Sequence, residues 1–268
     1  MALLSSLGDD AKLLSGGQSL VPLMKLRLSK PQHVIDLGGI SGLDFIREDG
    51  DSIAIGALTT HTEVEESALL QRKCLLLPQT TTTIADVQVR NRGTVGGSLA
   101  HADPTGDLPP AILALDAAIK AVGSRGERWI KAEDFFVTIL TTAIEPDEIV
   151  TEIRVPIQEH HRTAYLKAAQ RASGFAVVGV AVSLRLRQDG SCQNIAIGVT
   201  GVTHKAYRAT GVEEKLRGQK LDPGLIAQAA ALVVDGIDVN EDINGSQAYR
   251  SHLARVYTAR AVAAALNS

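Results

Sequence analysis

The spacing of apolar residues changes character once along the chain, at Pro156 and the polar stretch Gln158-Glu159-His160-His161-Arg162, and this break limits the fold more than any other feature. Before it, short β-rich runs (Lys12 to Leu14, Val34 to Leu37, Ile53 to Ile55) are interrupted by helical patterns at Ser19 to Leu26 and Thr62 to Leu70, a mixed layout. Segments 44–47 and 52–55 meet across Glu48-Asp49-Gly50-Asp51 as a hairpin, 108–115 reads as a short helix, and 117–122 with 128–131 as a second hairpin. After the break, 177–187 and 194–199 read as antiparallel strands joined at Asp189-Gly190. Three helical patterns follow, the last running from Gln247 to Leu266. An antiparallel sheet backed by segregated helices is an α+β domain. The expectation is two units, residues 1–157 and 162–268, in a 268-residue chain whose 45% hydrophobic content can fill their cores.

A net charge of -3 and 3% aromatic residues supply neither the basic surface nor the stacking platforms that nucleic acid needs. Cys74 and Cys192 are the two cysteines, with no C-x-x-C spacing, so this chain carries no zinc knuckle and no iron-sulfur ligand set. Both read as reduced, buried thiols. The start MALLSSLGDD lacks the basic-then-apolar layout of a signal peptide, and no apolar run approaches the roughly 18 residues of a membrane span. A cytoplasmic protein without membrane insertion is expected.

The chemistry concentrates in Leu13-Leu14-Ser15-Gly16-Gly17-Gln18-Ser19-Leu20 and in Thr94-Val95-Gly96-Gly97-Ser98. In each, an apolar strand-like run ends in paired glycines and a hydroxyl residue follows. Glycine has no Cβ and takes positive φ, so successive amides can face one concavity and an anion can approach the backbone. Ser19 also opens a helical pattern, whose first turn favours negative charge. The third pair, Gly38-Gly39, sits in an ordinary strand-to-turn context and is expected to hold no ligand. About two such pairs are expected by chance at this glycine content, so the pairs alone decide little. Neither turn is a G-x-G-x-x-G fingerprint and no G-x-x-x-x-G-K-[ST] occurs, which removes the Rossmann and P-loop architectures.

The longer strings AKLLSGGQSLVPLMKLRLSKPQHVIDLGGISGL (11–43) and IADVQVRNRGTVGGSLAHADPTGDLPPAILALDA (84–117) closely resemble the FAD-binding medium subunit of molybdenum hydroxylases, the carbon monoxide dehydrogenase and xanthine dehydrogenase family. KAAQRASGFAVVGVAV (167–182) resembles the same family's C-terminal domain. The resemblance implies an α+β fold: a PCMH-type FAD-binding domain of two α+β lobes, then a smaller α+β C-terminal domain with an antiparallel sheet and helices. It implies non-covalent FAD with its diphosphate between the two glycine turns, and contacts from the segments matching 13–20 and 94–98, from Asp107, and from Lys167 and Phe175. It also implies a small [2Fe-2S] subunit and a large molybdopterin subunit as partners, in a dimer of heterotrimers, with both of those cofactors held by the partners. Family members usually begin with an extra segment of roughly twenty residues that supplies an aromatic-proline stretch, a first strand and the start of a helix, and the resemblance implies that this chain begins inside that helix, at Met1.

Read by their local chemistry, these extra positions have alternatives. Asp107 caps the helix starting at Leu108 or accepts from a ribityl hydroxyl. Lys167 is a surface lysine on a strand by default, or stabilises an anionic reduced flavin. Phe175 is a core residue or a flavin cover. Arg90 and Arg92, flanking Asn91, hold the loop or the diphosphate, or are an exposed pair. His101 reads as structural, and the His160-His161 pair lacks metal-ligand spacing. The function that follows is an FAD-containing electron-transfer subunit passing electrons from a partner's [2Fe-2S] clusters to an external acceptor, with no catalytic residue of its own. The alternatives are a free-standing flavin-dependent oxidase or reductase and a flavin-free assembly subunit.

Overall fold

A computed structural model describes residues 2–268 of the chain; Met1, from which the shortened start was read, lies outside them. Helix α1 (Ala2–Leu7) leads into β1 (Ala11–Leu14), which pairs in parallel with β2 (His33–Asp36). Parallel neighbours require a crossover, and the segment carrying α2 (Leu20–Lys25) supplies it. The hairpin of β3 (Ile46–Asp49) and β4 (Ser52–Gly56) follows, and then six short helices: α3 (His61–Glu66), α4 (Ala68–Lys73), α5 (Leu76–Thr81), α6 (Val87–Arg90), α7 (Val95–His101) and α8 (Leu108–Ala114). The single helix expected over 62–70 is two. The Ser67 hydroxyl accepts the Leu70 N–H at 3.3 Å, so that Ser67 ends α3 and caps α4.

Strands β5 (Ala118–Gly123) and β6 (Gly126–Lys131) form the second hairpin, followed by α9 (Ala132–Phe135), the short pair β7 (Phe136–Thr138) and β8 (Thr141–Thr142), and β9 (Ile149–Pro156). β9 enters the middle of an antiparallel five-stranded sheet ordered β3-β4-β9-β5-β6. It joins two hairpins far apart in sequence and closes the sheet over a core that includes Ile53, Ile55, Leu76, Leu99, Ile112, Ile119, Phe135 and Ile153.

The remaining strands, β10 (Arg162–Ala169), β11 (Ala176–Leu186), β12 (Cys192–Thr200) and β13 (Tyr207–Arg208), lie in that order in one antiparallel sheet. Helices α10 (Thr210–Leu216), α11 (Pro223–Ala230) and α12 (Gln247–Leu266) pack on one face around Val180, Val182, Ile195, Ile197, Val212 and Ala261. Both halves are α+β, with no barrel. Every residue of α8 is buried. Gly201 N–H donates to Pro104 O at 2.8 Å, Arg208 Nη1 to Leu113 O at 3.0 Å and Thr163 Oγ1 to Gln79 Oε1 at 2.8 Å. The first two bonds tie α8 and the loop before it to the end of β12 and to β13, and the third ties α5 to β10. Cys74 and Cys192 are free and buried; enclosure pushes the Cys74 thiol up to about 12, out of the reactive range.

Candidate functional site

The two glycine bends, 79 residues apart in sequence, touch. Ser15 Oγ and Thr94 Oγ1 are hydrogen-bonded at 3.1 Å. A Cβ added to Gly16 would fall on the Arg92 carbonyl oxygen, and one added to Gly97 would lie 2.6 Å from both Ser15 Oγ and Thr94 Oγ1. Glycine is therefore required at Gly16 and Gly97 for the bends to approach at all.

The bends differ in what they offer. In the first, Gly17 has φ of +75°, and among the described residues the amides of Gly16, Gly17, Gln18 and Ser19 donate to no protein acceptor. The second is the first turn of α7. Gly96 N–H goes to Ala57 O at 2.9 Å, Gly97 N–H to the capping Thr94 Oγ1 at 3.2 Å and Ser98 N–H to Thr94 O at 3.0 Å. Its glycines hold helical backbone, and their contribution is clearance rather than open amides. The expectation of matched main-chain donors from both bends is corrected accordingly: the first presents amides, and the second presents the Ser98 hydroxyl, which has no protein partner among the described residues.

Both bends face a cavity of about 540 Å³, within the size range of small-molecule sites. Leu13, Leu14, Ser15, Gly16, Gly17, Gln18, Ser19, Leu20, Thr94, Gly96, Gly97, Ser98, Asp107 and Phe175 border it. Val95 and Lys167 do not: Val95 is buried in the core, and Lys167 lies behind the wall. His61, Gly93, His101, Asp103 and Gly174 also border the cavity, although nothing in their local sequence singles them out as ligand-facing. Gly39 does not border it, and space for a Cβ there is open.

Three local readings are settled by packing. Asp107 stands at the start of α8 but makes no capping bond. Its carboxylate accepts from Tyr165 Oη at 2.5 Å and from Lys167 Nζ at 3.0 Å, both on β10. Burial raises the Asp107 carboxyl above its usual range, while Lys167 and Tyr165 oppose the rise. Lys167 is no surface lysine: with its side chain 9% exposed, it also donates to Thr83 O at 2.7 Å and Gly174 O at 2.8 Å. It thereby ties the loop before α6 to the loop carrying Phe175. Phe175 is not core; it is 47% exposed at the edge of the cavity. Of the arginines, Arg90 is paired with Glu65 at 2.8 Å and donates to Ile84 O, whereas Arg92 is exposed.

Residues 1–158 match the family described as the FAD binding domain in molybdopterin dehydrogenase, and residues 163–265 the CO dehydrogenase flavoprotein C-terminal domain. The glyceraldehyde dehydrogenase medium chain of Sulfolobus acidocaldarius is 35% identical over 94% of this chain and 90% of its own length. The carbon monoxide dehydrogenase medium chain of Hydrogenophaga pseudoflava is 37% identical over 99% and 92%. A solved structure of carbon monoxide dehydrogenase from that organism, lacking the Mo-pyranopterin moiety of its cofactor, superposes with a TM-score of 0.96 at 38% identity, covering 99% of this chain and 93% of the other. The open amides beside free hydroxyls suit a diphosphate, and the cavity's mixed apolar and polar wall suits a flavin nucleotide. With sequence, fold and donor set in agreement, the chain belongs to the FAD-binding medium subunits of the carbon monoxide dehydrogenase type of molybdenum hydroxylase.

Proposed function

We propose that this chain is the electron-transfer subunit of a molybdenum hydroxylase, standing between a small [2Fe-2S] subunit and an external acceptor. A large molybdopterin subunit would carry out substrate hydroxylation, in a cytoplasmic dimer of heterotrimers. Residues 1–157 form the FAD-binding unit and residues 162–268 the C-terminal unit that backs it. When bound, FAD exchanges electrons singly or in pairs, which suits a relay between one-electron clusters and a two-electron acceptor.

The observation that carries the reading is the junction of Ser15-Gly16 with Arg92-Thr94, beside four amides that lack protein acceptors among the described residues. The amides of Gly16 to Ser19 would hold the diphosphate, as oriented dipoles facing an anion do. Leu13, Leu14 and Leu20 would line the approach, and Thr94 and Ser98 would add hydroxyls from α7. Asp107 would accept a hydrogen bond from a ribityl hydroxyl, since Tyr165 takes one lone pair on Oδ1 and Lys167 one on Oδ2, leaving one on each oxygen. Val95 acts from the core by seating α7, and Lys167 acts from behind the wall by holding Asp107 and the loop carrying Phe175. Among the described residues, no helix is long and apolar enough to cross a membrane.

The assembly purified through this chain should show flavin absorbance at about 450 nm that bleaches when the hydroxylase substrate is added. The chain loaded with FAD but separated from its partners should not turn over that substrate. Ser98→Ala should weaken FAD by about 1.5 to 3 kcal/mol, the usual value of a charge-assisted bond, read as an increase in the FAD dissociation constant. An unchanged constant, or bleaching by the isolated chain, would contradict the assignment.

A further inference from the structure

His61 opens α3 and is 4% exposed at the cavity wall, yet among the described residues neither of its ring nitrogens has a protein partner. Nδ1 is sealed without a hydrogen bond; Nε2 is unbonded too, and is the ring nitrogen that is not sealed. The backbone beneath the ring is firmly held: His61 N–H donates to Gly93 O at 2.9 Å, and Thr60 and Glu63 form a capping box around the start of the helix. The ring lies against Gly93, where a Cβ would come 2.8 Å from Cδ2 and 3.0 Å from Nε2. On its other side, Gly93 Cα abuts Gly16. His61, Gly93 and Gly16 therefore form one stack across the junction of the two bends.

Burial, and secondly the positive charge of Arg90, lower the His61 pKa to about 4, so the ring is neutral at physiological pH. A neutral imidazole carries one donor and one acceptor, and the proton is placed best on the nitrogen that can reach a partner, Nε2. An unpartnered polar ring in such a place is costly, and an apolar side chain of similar shape would fill it better.

We propose that His61 is a further FAD-binding residue, its Nε2–H donating to a diphosphate oxygen where the two bends cross. The inference rests on the placement of the diphosphate proposed above. It accounts for an enclosed, partnerless imidazole at a wall where a phosphate would supply the missing acceptor.

The test uses the purified assembly with three substitutions, His61→Phe, His61→Leu and His61→Gln. FAD and ADP dissociation constants are measured, together with the melting temperature of the FAD-stripped protein. His61→Phe and His61→Leu should weaken FAD and ADP alike by roughly tenfold or more, the scale of a lost bond to a charged group. The melting temperature of the stripped protein should stay level or rise. His61→Gln, which restores a donor, should remain within about threefold of wild type. Unchanged affinity in both apolar variants overturns the proposal, as does a fall in melting temperature with no change in binding, the mark of a purely structural histidine. Loss confined to FAD, with ADP unaffected, overturns the diphosphate assignment. Ser98→Ala in the same assay separates the two readings: if it weakens FAD while His61→Phe does not, only the role of His61 fails, and if neither does, the placement of the diphosphate fails as well.

Discussion

Gly16→Ala should leave the purified assembly nearly free of FAD, while Gly39→Ala should leave its flavin content unchanged. The reason is contact across the junction rather than backbone strain, since Gly16 itself does not adopt positive φ. A Cβ at this position would occupy the Arg92 carbonyl oxygen and press on Gly93 Cα at 2.9 Å. Neither obstacle is the flexible end of a side chain, so the bends must separate. Forcing extra atoms into a close-packed contact costs about 1 to 3 kcal/mol. Here the displacement also moves Ser15 off Thr94 and carries the open amides of Gly16 to Ser19 away from α7. FAD affinity should fall by about tenfold to a hundredfold, measured as flavin per polypeptide after gel filtration. At Gly39 a Cβ would meet nothing within 4 Å. Equal loss in both variants would mean that the effect lies in folding rather than in the site.

Lys167→Met should cost the folded protein about 3 to 5 kcal/mol, the usual penalty for removing one partner of a buried ion pair. Asp107 and Lys167 are 7% and 9% exposed at their side chains, so water replaces neither partner readily. The substitution also leaves the carbonyl oxygens of Thr83 and Gly174 without the ammonium that now bridges them. Chemical denaturation of both single variants, Lys167→Met and Asp107→Leu, and of the double variant Asp107→Leu/Lys167→Met separates the contributions. The double variant should lose less than the two single losses combined, because no lone charge remains inside. A loss below about 1 kcal/mol for Lys167→Met, the range of surface pairs, would show that the pair is not enclosed.

Local signals reveal the parts of this fold whose stabilising partners lie nearby in sequence. Helix α12 runs from Gln247 to Leu266 as expected, because Ser246 marks its start by accepting the Tyr249 N–H and small apolar residues recur along it. The hairpins are equally legible from their short turns. Strand β9 is not. Glu152 and Arg154 interrupt its apolar run, and its pairing partners on β4 lie about a hundred residues earlier, which no local pattern reports. The sequence places Lys167 on a strand, but the extent and partners of β10 escape for a related reason: it carries Thr163, Tyr165 and Lys167, whose polar atoms find Gln79, Asp107 and Thr83 only after the two halves pack. The same dependence on distant partners defeats the local readings of Asp107 as a cap and Lys167 as a surface residue.

The glycine bends were legible because glycine and hydroxyl residues in that order carry their own chemistry. The division of labour between them was not, because Thr94 captures the Gly97 amide only once α7 forms. His61 left no trace in the sequence beyond the capping box that starts its helix. What makes it a candidate is the absence of a partner after folding, which is a property of the packed wall.

The most direct test is a structure of the FAD-loaded assembly at a resolution that places the phosphate oxygens. Phosphate oxygens should lie within about 3 Å of the amides of Gly16, Gly17, Gln18 and Ser19, with Ser98 Oγ reaching them from α7. Phosphates bound elsewhere, with those four amides turned to water, would overturn the assignment of the diphosphate to the two bends.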